Sequence, residues 1–551
     1  MTEMNTFRPL LGLKIPMRDG VGLAADIYLP PGDGAHPAVV LRTPYLRTTP
    51  QVAAAGAFWA RSDYAFVAVD VRGRGDSDGE FRPYRSEGED GFDTIEWCAT
   101  QAFCTGAVGS LGASYSGKVQ WQAALQRPPH LRAMISIVPP SDAHVESPTG
   151  APSPMSLCWL HLVSGRLTQN LDLVNWAEVY KHLPLAEMDQ ELGTASPRWQ
   201  AACAPGTPGP SATDYQRRIS ELDLPVLHVS GWYDDEQVGT PLNYRLMREG
   251  AGSEAARESQ RLLIGPWGHN VNQQRLGSVD FGPAAVIDLN DLERRFFDRH
   301  LKGEAEDGWV SPVRLFMIGD GWRKVDGWPP AGMTVQPMYL TSRKGANSRF
   351  GDGRLASTPG TDWGEDRYLA NPLDPVPFLT EPLSHQIGGA DDYQEVEKRQ
   401  DVLVYTSAPL TAAVELLGPV RVVVHISSDT VDLDVMAKLL DLFPDGRAER
   451  VVDGMVRGRY RQGMGPQALL EPGRAVEFDI DLWNVGRRFA AGHAIRLEIA
   501  SSAFPKYPRN LHTGGDLARE RADQAIVAEV RLLHGAGHPS RILLPVLSGH
   551  L

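Results

Sequence analysis

Cysteine is scarce in this chain of 551 residues. The four present, Cys98, Cys104, Cys158 and Cys203, form no C-x-x-C pair and have no histidines spaced around them, which argues against a zinc site. So few thiols suit a reducing, cytoplasmic compartment. No apolar run approaches the roughly 18 residues of a membrane span, so none is expected. The N-terminus, "MTEMNTFRPLLGLKIPMRDG", lacks an uninterrupted apolar stretch, so no signal peptide is expected. Basic runs and basic-aromatic stripes are missing, and the formal charge of −14 argues against nucleic acid as a partner. No internal repeat or low-complexity tract is visible.

What remains is ordinary globular composition, 42% hydrophobic and 22% charged. The length calls for about two to four domains. Fifty-five glycines and 42 prolines point to many turns and much β structure. The first third alternates strand and helix. "PAVVLRTPY" (37–45), "YAFVAVDVRG" (64–73) and "LRAMISIVPP" (131–140) read as buried strands. "EGEDGFDTIEWCATQ" (87–101) has helical spacing, with Phe92, Ile95 and Ala99 on one face, and "YSGKVQWQAALQ" (115–126) also reads as helix. This alternation predicts a mostly parallel sheet covered on both faces.

The texture then changes. "MSLCWLHLVSGRL" (155–167) and "NLDLVNWAEVYKHLPLAEM" (170–188) read as helices with no strand between them. Strands return at "LPVLHVSGW" (224–232) and "SQRLLIGPWG" (259–268), and "VIDLNDLERRFFDRHLKG" (286–303) reads as a closing helix. Beyond about residue 310 short strands follow one another without long helices, the pattern of a sandwich or jelly roll. The expected organisation is an α/β core over 1–140 and 221–309, a helical cap over 141–220, and a β domain over 310–551.

Two serines compete for a catalytic reading. Gly75-Asp76-Ser77-Asp78-Gly79 matches G-x-S-x-G, the pattern of a nucleophilic serine. Its flanking carboxylates, however, disfavour an alkoxide or an oxyanion, and the segment opens no apolar helix. It is ordinary turn composition. Gly112-Ala113-Ser114-Tyr115-Ser116-Gly117 misses the pattern by one position but lies between a strand end and a helix start. A nucleophile elbow needs small residues two before and two after the serine, and Gly112 and Ser116 supply them. The Tyr115 N–H would then face an oxyanion from a helix N-terminus.

A serine nucleophile needs a base and a group that orients it. Asp234 follows one strand and His269 the next, both where an open α/β sheet collects its site. Asp235 rivals Asp234 one residue away. His228 lies inside its strand and is a poorer base.

These pieces resemble a known family. "RTPY" (42–45), "DVRGRGDSDGEF" (70–81), "GASYSG" (112–117), "QWQAA" (120–124), "GWYD" (231–234), "GPWGH" (265–269), "FFDRHLKG" (296–303) and "SSAFPKYPRNLHTGG" (501–515) run in order through the chain. They resemble the cocaine esterase-like branch of the X-prolyl dipeptidyl peptidase and α-amino acid ester hydrolase family. The resemblance implies an α/β-hydrolase core with an inserted helical cap and a C-terminal jelly roll. It implies Ser114 as nucleophile, His269 as base and Asp234 as orienting acid. Tyr45, through its hydroxyl, and the Tyr115 N–H would form the oxyanion hole. Ser77 would lie in a structural loop.

Within that family the amino acid ester hydrolases hold a substrate ammonium with carboxylates after the triad acid. Here that stretch is Asp235-Glu236-Gln237: Glu236 fits, whereas Gln237 supplies no second charge. Trp159, His161, Trp176 and Tyr180 of the cap are the aromatic candidates for an acyl pocket, Trp159 first among them. The implied reaction is hydrolysis of esters or amides of small acids, without metal or cofactor. The alternatives are an acylase or peptidase for β-lactam side chains or short peptides, and an inactive binding protein. A small-molecule ester or amide is the expected partner, and a homodimer is left open.

Overall fold

The computed structural model describes residues 7–146, 149–204, 214–305, 309, 311–380 and 388–551. Its first sheet is built from β1 (Arg8–Pro16), β2 (Gly22–Leu29), β3 (His36–Thr43), β4 (Ala65–Asp70), β5 (Cys104–Ala113), β6 (Leu131–Ile137), β7 (Val226–Gly231) and β8 (Arg261–Gly265). After a short hairpin of β9 (Arg275–Leu276) and β10 (Val279–Asp280), β11 (Val313–Met317) and β12 (Gly321–Val325) join the same sheet. The order is β1-β2-β4-β3-β5-β6-β7-β8-β11-β12. Neighbours from β4 to β11 pair parallel, while β1, β2 and β12 are antiparallel edges.

Successive residues of a strand point to opposite faces, so the near-continuous apolar runs are what a sheet covered on both sides requires. Val39 and Phe66 pack with Trp59 of α1 (Pro50–Arg61) and Phe296 of the closing helix 289–297. Val40 and Val67, one residue on, pack with Ile95 of α2 (Glu87–Ala99) and Ala123 of α3 (Tyr115–Ala124).

Three expectations need correction. In α2 the buried stripe is Gly91, Thr94, Ile95 and Cys98, with Ala99 packed partly buried against the same core, so of the expected face Phe92 alone falls away. Gly91 lets the helix close onto Ala123 and the Arg42 guanidinium, and Phe92 turns outward under Arg18. Close approach to α3, rather than apolar bulk, sets the rotation. The stretch 170–188 is not one long helix but 3₁₀ and α turns, Leu171–Leu173, Trp176–Val179 and Leu185–Leu192. The Asn170 side chain caps one piece, and Pro184, which cannot continue a helix, separates the others. The boundary expected at 310 falls too early, because β11 and β12 extend the first sheet alongside β8. Nothing in their local sequence distinguishes them from the strands that follow.

The C-terminal β domain is a jelly-roll sandwich whose longest strands, Val414–Ser428 and Val476–Phe489, pair antiparallel. Between core and β domain sit α4 (Ala143–Glu146), α5 (Met155–Leu162), α6 (Trp176–Val179) and α7 (Pro197–Ala202). Leu157, Cys158, Trp176, Tyr180, Met188 and Trp199 form the cap's own core. Main-chain carbonyls tie the cap to both neighbours: Arg198 donates to Phe81 O at 2.6 Å, and Arg457 donates to Thr149 O at 2.8 Å. All four cysteines are buried and free. Among the described residues no helix is long and apolar enough to cross a membrane.

Candidate active site

Ser114 stands between β5 and α3 with φ 57° and ψ −127°. A non-glycine residue with positive φ is uncommon and strained, and such strain is typical of a serine lifted out of a sharp strand-to-helix turn. Its surroundings over-determine it. The Ser114 N–H donates to Ile137 O at 2.9 Å, and its carbonyl accepts from Gly117 and Lys118 N–H at 2.8 and 3.0 Å. A Cβ on Gly112 would collide with the Ser116 backbone, and one on Gly117 would sit 2.8 Å from Ile137 O. The small residues are therefore steric requirements of the turn.

Ser77 is different. Its buried hydroxyl donates to Asp70 O at 2.6 Å and accepts from Ala24 N–H at 2.7 Å. It staples its loop to the sheet, and the textual match is structural.

The segment after β7 carries the acids. Asp234 is buried, and its Oδ2 accepts from Ser230 Oγ at 2.9 Å. Its Oδ1 accepts from the Glu236 N–H at 3.2 Å and meets His269 Nδ1 at 2.9 Å. Asp235 lies 3.6 Å from the same nitrogen and Glu236 3.8 Å. The hydrogen bond thus separates the two rival aspartates. His228 is buried in β7, its Nε2 against Gln260 Oε1 at 3.0 Å and its ring on Trp121. Asp234, Asp235 and His269 also present three ligand-type atoms within 4.8 Å of one another, spacing that would suit a small cation.

Carboxylates crowd the imidazole. Burial opposes its charged form, but Glu236 and Asp234 outweigh burial and hold His269 well above the usual histidine range. Burial in turn pushes the Glu236 and Asp235 carboxyls up, and its Oε2 leaves Glu236 with an unsatisfied buried acceptor. Gln237 does not join this group. Its side chain donates to Asn484 O at 2.8 Å and ties the segment to the β domain. A further carboxylate comes from the cap instead: Glu146 on α4, pushed up to about 7 mainly by burial. Sequence reading missed it because nothing in its local pattern marks it.

Tyr45 follows β3. Its hydroxyl meets the Ser114 side chain, and its oxygen accepts from Trp159 Nε1–H at 3.0 Å. An indole N–H only donates, so the phenol keeps its own proton for another acceptor. Burial raises the Tyr45 pKa, so the group stays protonated. Trp159, expected to line an acyl pocket, therefore holds Tyr45 from the cap. Its ring also stacks with Tyr115 at 5.8 Å and Tyr84 at 6.5 Å. The Tyr115 phenol donates to Glu87 at 2.8 Å, and Glu87 is paired with Arg42. That chain fixes the first turn of α3, whose leading N–H groups have no carbonyl inside the helix.

Tyr84 is a second residue the sequence did not mark. It has φ 64°, and its ring stacks 4.5 Å from Tyr115. His161, Trp176 and Tyr180 pack into one another within the cap.

A family model described as X-Pro dipeptidyl-peptidase (S15 family) matches residues 19–271. Another, the X-Pro dipeptidyl-peptidase C-terminal non-catalytic domain, matches residues 308–543. The cocaine esterase of Rhodococcus sp. (strain MB1 Bresler) is 35% identical, over 97% of each chain. Two solved structures superpose with TM-scores of 0.87. One is an aminopeptidase from the marine sediment archaeon Thaumarchaeota archaeon, at 22% identity over 100% of this chain and 97% of that one. The other is an α-amino acid ester hydrolase, at 24% identity over 98% and 97%. At these identities the two structures speak for the fold, while the two family models and the esterase carry the assignment: this chain belongs to the X-Pro dipeptidyl-peptidase (S15) family, in its cocaine esterase-like branch.

Proposed function

We propose that this chain is a serine hydrolase that cleaves esters of small carboxylic acids through an acyl-enzyme. Ser114 Oγ attacks the carbonyl carbon while His269, through Nε2, takes its proton. The tetrahedral oxyanion is met by the Tyr45 O–H and the Tyr115 N–H. Collapse expels the alcohol, which leaves with the proton from His269. Water then attacks the acyl-enzyme by the same route, releasing the acid and restoring Ser114. Asp234 keeps Nδ1 engaged, so Nε2 is the nitrogen left for chemistry. The observation that carries this reading is a left-handed serine at a strand-to-helix turn at the same sheet end as a carboxylate-held imidazole. The ester preference is drawn from the 35% identical cocaine esterase.

A second reading, an acylase or peptidase for β-lactam side chains or short peptides, is favoured by the carboxylates near His269. Glu146 acts electrostatically on Glu236, so a second carboxyl stands near it where Gln237 supplies none. Such a group would suit a substrate ammonium. The test is labelling with a fluorophosphonate, location of the modified peptide, and comparison of a p-nitrophenyl ester with the p-nitroanilide of the same acid. Modification of Ser114 with faster ester turnover supports the first reading. Faster anilide turnover supports the second, and an unlabelled protein supports an inactive binding protein.

The charge around His269 also sets a pH dependence. A base must be neutral to act, and the raised pKa keeps His269 protonated to higher pH. The value of kcat/KM is therefore expected to rise with pH through a midpoint above the ordinary histidine value of 6.5. Glu236→Gln removes one source of the shift and should move that midpoint down. A midpoint at or below 6.5 in the parent, or one that Glu236→Gln leaves in place, contradicts this electrostatic account.

A further inference from the structure

The loop that Ser77 staples to the sheet sends one side chain inward, Arg74. It lies between Gly73 and Gly75, whose φ angles are 72° and 50°. Neither glycine has room for a side chain. A Cβ on Gly73 would meet Phe81 N at 2.1 Å, and one on Gly75 would meet Asp70 Oδ2 at the same distance. The two left-handed positions turn the loop tightly, and Arg74 between them is fully buried.

Its partners are main-chain carbonyls from two directions. Nε donates to Pro44 O at 2.8 Å, the peptide oxygen immediately before Tyr45. Nη1 donates to Gly165 O and, at 3.4 Å, to Leu167 O, both in the cap. The same cap segment is bonded to the loop beside Arg74. Gly75 N–H donates to Arg166 O at 2.8 Å, and Arg166 donates back to Gly75 O at 3.0 Å and to Ser77 O. These cap residues follow α5, whose Trp159 donates to the Tyr45 oxygen. Tyr45 is therefore tied to the cap at both ends, through Arg74 at its preceding peptide and through Trp159 at its hydroxyl.

Arg74 is costly to bury. Among the described residues no carboxylate pairs with it, and Asp70, the acid that acts on it, is taken up by Arg47. Its Nη2 is buried without a partner. Burial, with Arg198 adding to it, pulls the guanidinium down to about 10, which still leaves it charged at neutral pH. An unpaired buried charge opposes folding, and local costs of this kind are tolerated chiefly where function uses them. Here the charge acts on the Tyr45 phenol in the sense that favours negative charge there. A cation beside the phenol strengthens the hydrogen bond it gives to an oxyanion.

We propose that Arg74 is a positioning residue for the oxyanion donor: it fixes the Pro44–Tyr45 peptide against the docked cap and sets an unpaired positive charge beside the phenol. The proposal rests on the reading of Ser114 as the hydrolytic serine with Tyr45 as its oxyanion donor. A kinetic cycle on the full chain tests it, with p-nitrophenyl butyrate as substrate and the parent, Arg74→Met, Tyr45→Phe and the double variant as its corners. Methionine keeps much of the apolar stem and removes the charge and the donors. Arg74→Met is expected to lower kcat by about 30-fold with KM within about twofold. In the Tyr45→Phe background the same substitution should cost no more than about twofold, because the group through which it acts is gone. Arg74→Lys keeps the charge but not the fork that spans two segments, so its loss should be only about fivefold.

A merely structural role gives the same factor in both backgrounds, and that result overturns the proposal. A loss carried by KM, or parental kcat in Arg74→Met, overturns it as well. If Arg74→Met fails to fold, Arg74→Lys carries the cycle, and its loss should vanish without the Tyr45 hydroxyl. Hydrogen exchange separates this failure from failure of the hydrolase reading. A parent that hydrolyses no ester fails that reading, yet Arg74→Lys should still speed amide exchange in peptides covering 42–48 and 163–169. Unchanged exchange in both peptides refutes the positioning whatever Ser114 does.

Discussion

Ser114→Ala is expected to lower kcat on a p-nitrophenyl ester by roughly 10⁶-fold, the scale seen when a triad nucleophile is removed. The same variant should lose fluorophosphonate labelling. Its fold should persist, for a physical reason. The bonds that hold the turn run through the Ser114 backbone: N–H to Ile137 O, and carbonyl to Gly117 and Lys118 N–H. Alanine keeps all of them and the same Cβ. An unchanged thermal midpoint with lost activity would assign the loss to Oγ alone. Activity within tenfold of the parent would remove Ser114 from the chemistry and with it the proposed mechanism. Ser114→Gly is a useful companion. Glycine enters positive φ without steric cost, so that variant should be inactive yet at least as stable.

Tyr45→Phe is expected to cost about 10²–10³-fold in kcat, the usual effect of deleting one oxyanion donor, with little change in KM. The ring and its packing remain; only the proton aimed at the developing charge is lost. Trp159→Phe gives the complementary measurement. It leaves the phenol but removes the indole N–H that occupies a lone pair of Tyr45 oxygen at 3.0 Å. The hydroxyl is then free to rotate among more acceptors, so a smaller fall in kcat is expected, again with KM nearly constant. A KM effect from Trp159→Phe with kcat unchanged would instead support the acyl-pocket role of Trp159. A Tyr45→Phe variant as fast as the parent would leave Tyr115 N–H without its proposed partner.

Much of the site was legible because it sits where local rules act. The alternation of apolar strands with helices announced a covered parallel sheet. Small residues around Ser114 announced the tight turn, since no side chain fits at Gly112 or Gly117. Asp234 and His269 follow consecutive strands, and strand ends in such a sheet converge in space. The misleading match at Ser77 was also readable, because flanking charge and the lack of a following helix are properties of neighbours in sequence.

By itself, then, the sequence determined the layered core, the later β domain and the serine elbow, all of which follow from periodicity and steric limits within a few residues. Tertiary structure decided the rest. Asp234 and Asp235 are adjacent and chemically alike; only the course of the loop sets one at 2.9 Å from His269 and the other at 3.6 Å. Glu146 reached the acidic group, and Trp159 reached Tyr45, by docking of the cap, across 90 and 114 positions of chain respectively. Residues 313–325 joined the first sheet because β8 offered a free edge, not because their own pattern differed. Trp483 acquired its positive φ of 67° from a register slip that exists only once the distant strands 414–428 and 476–489 pair. These outcomes depend on distances between segments far apart in the chain, and such distances are set by packing rather than by local pattern.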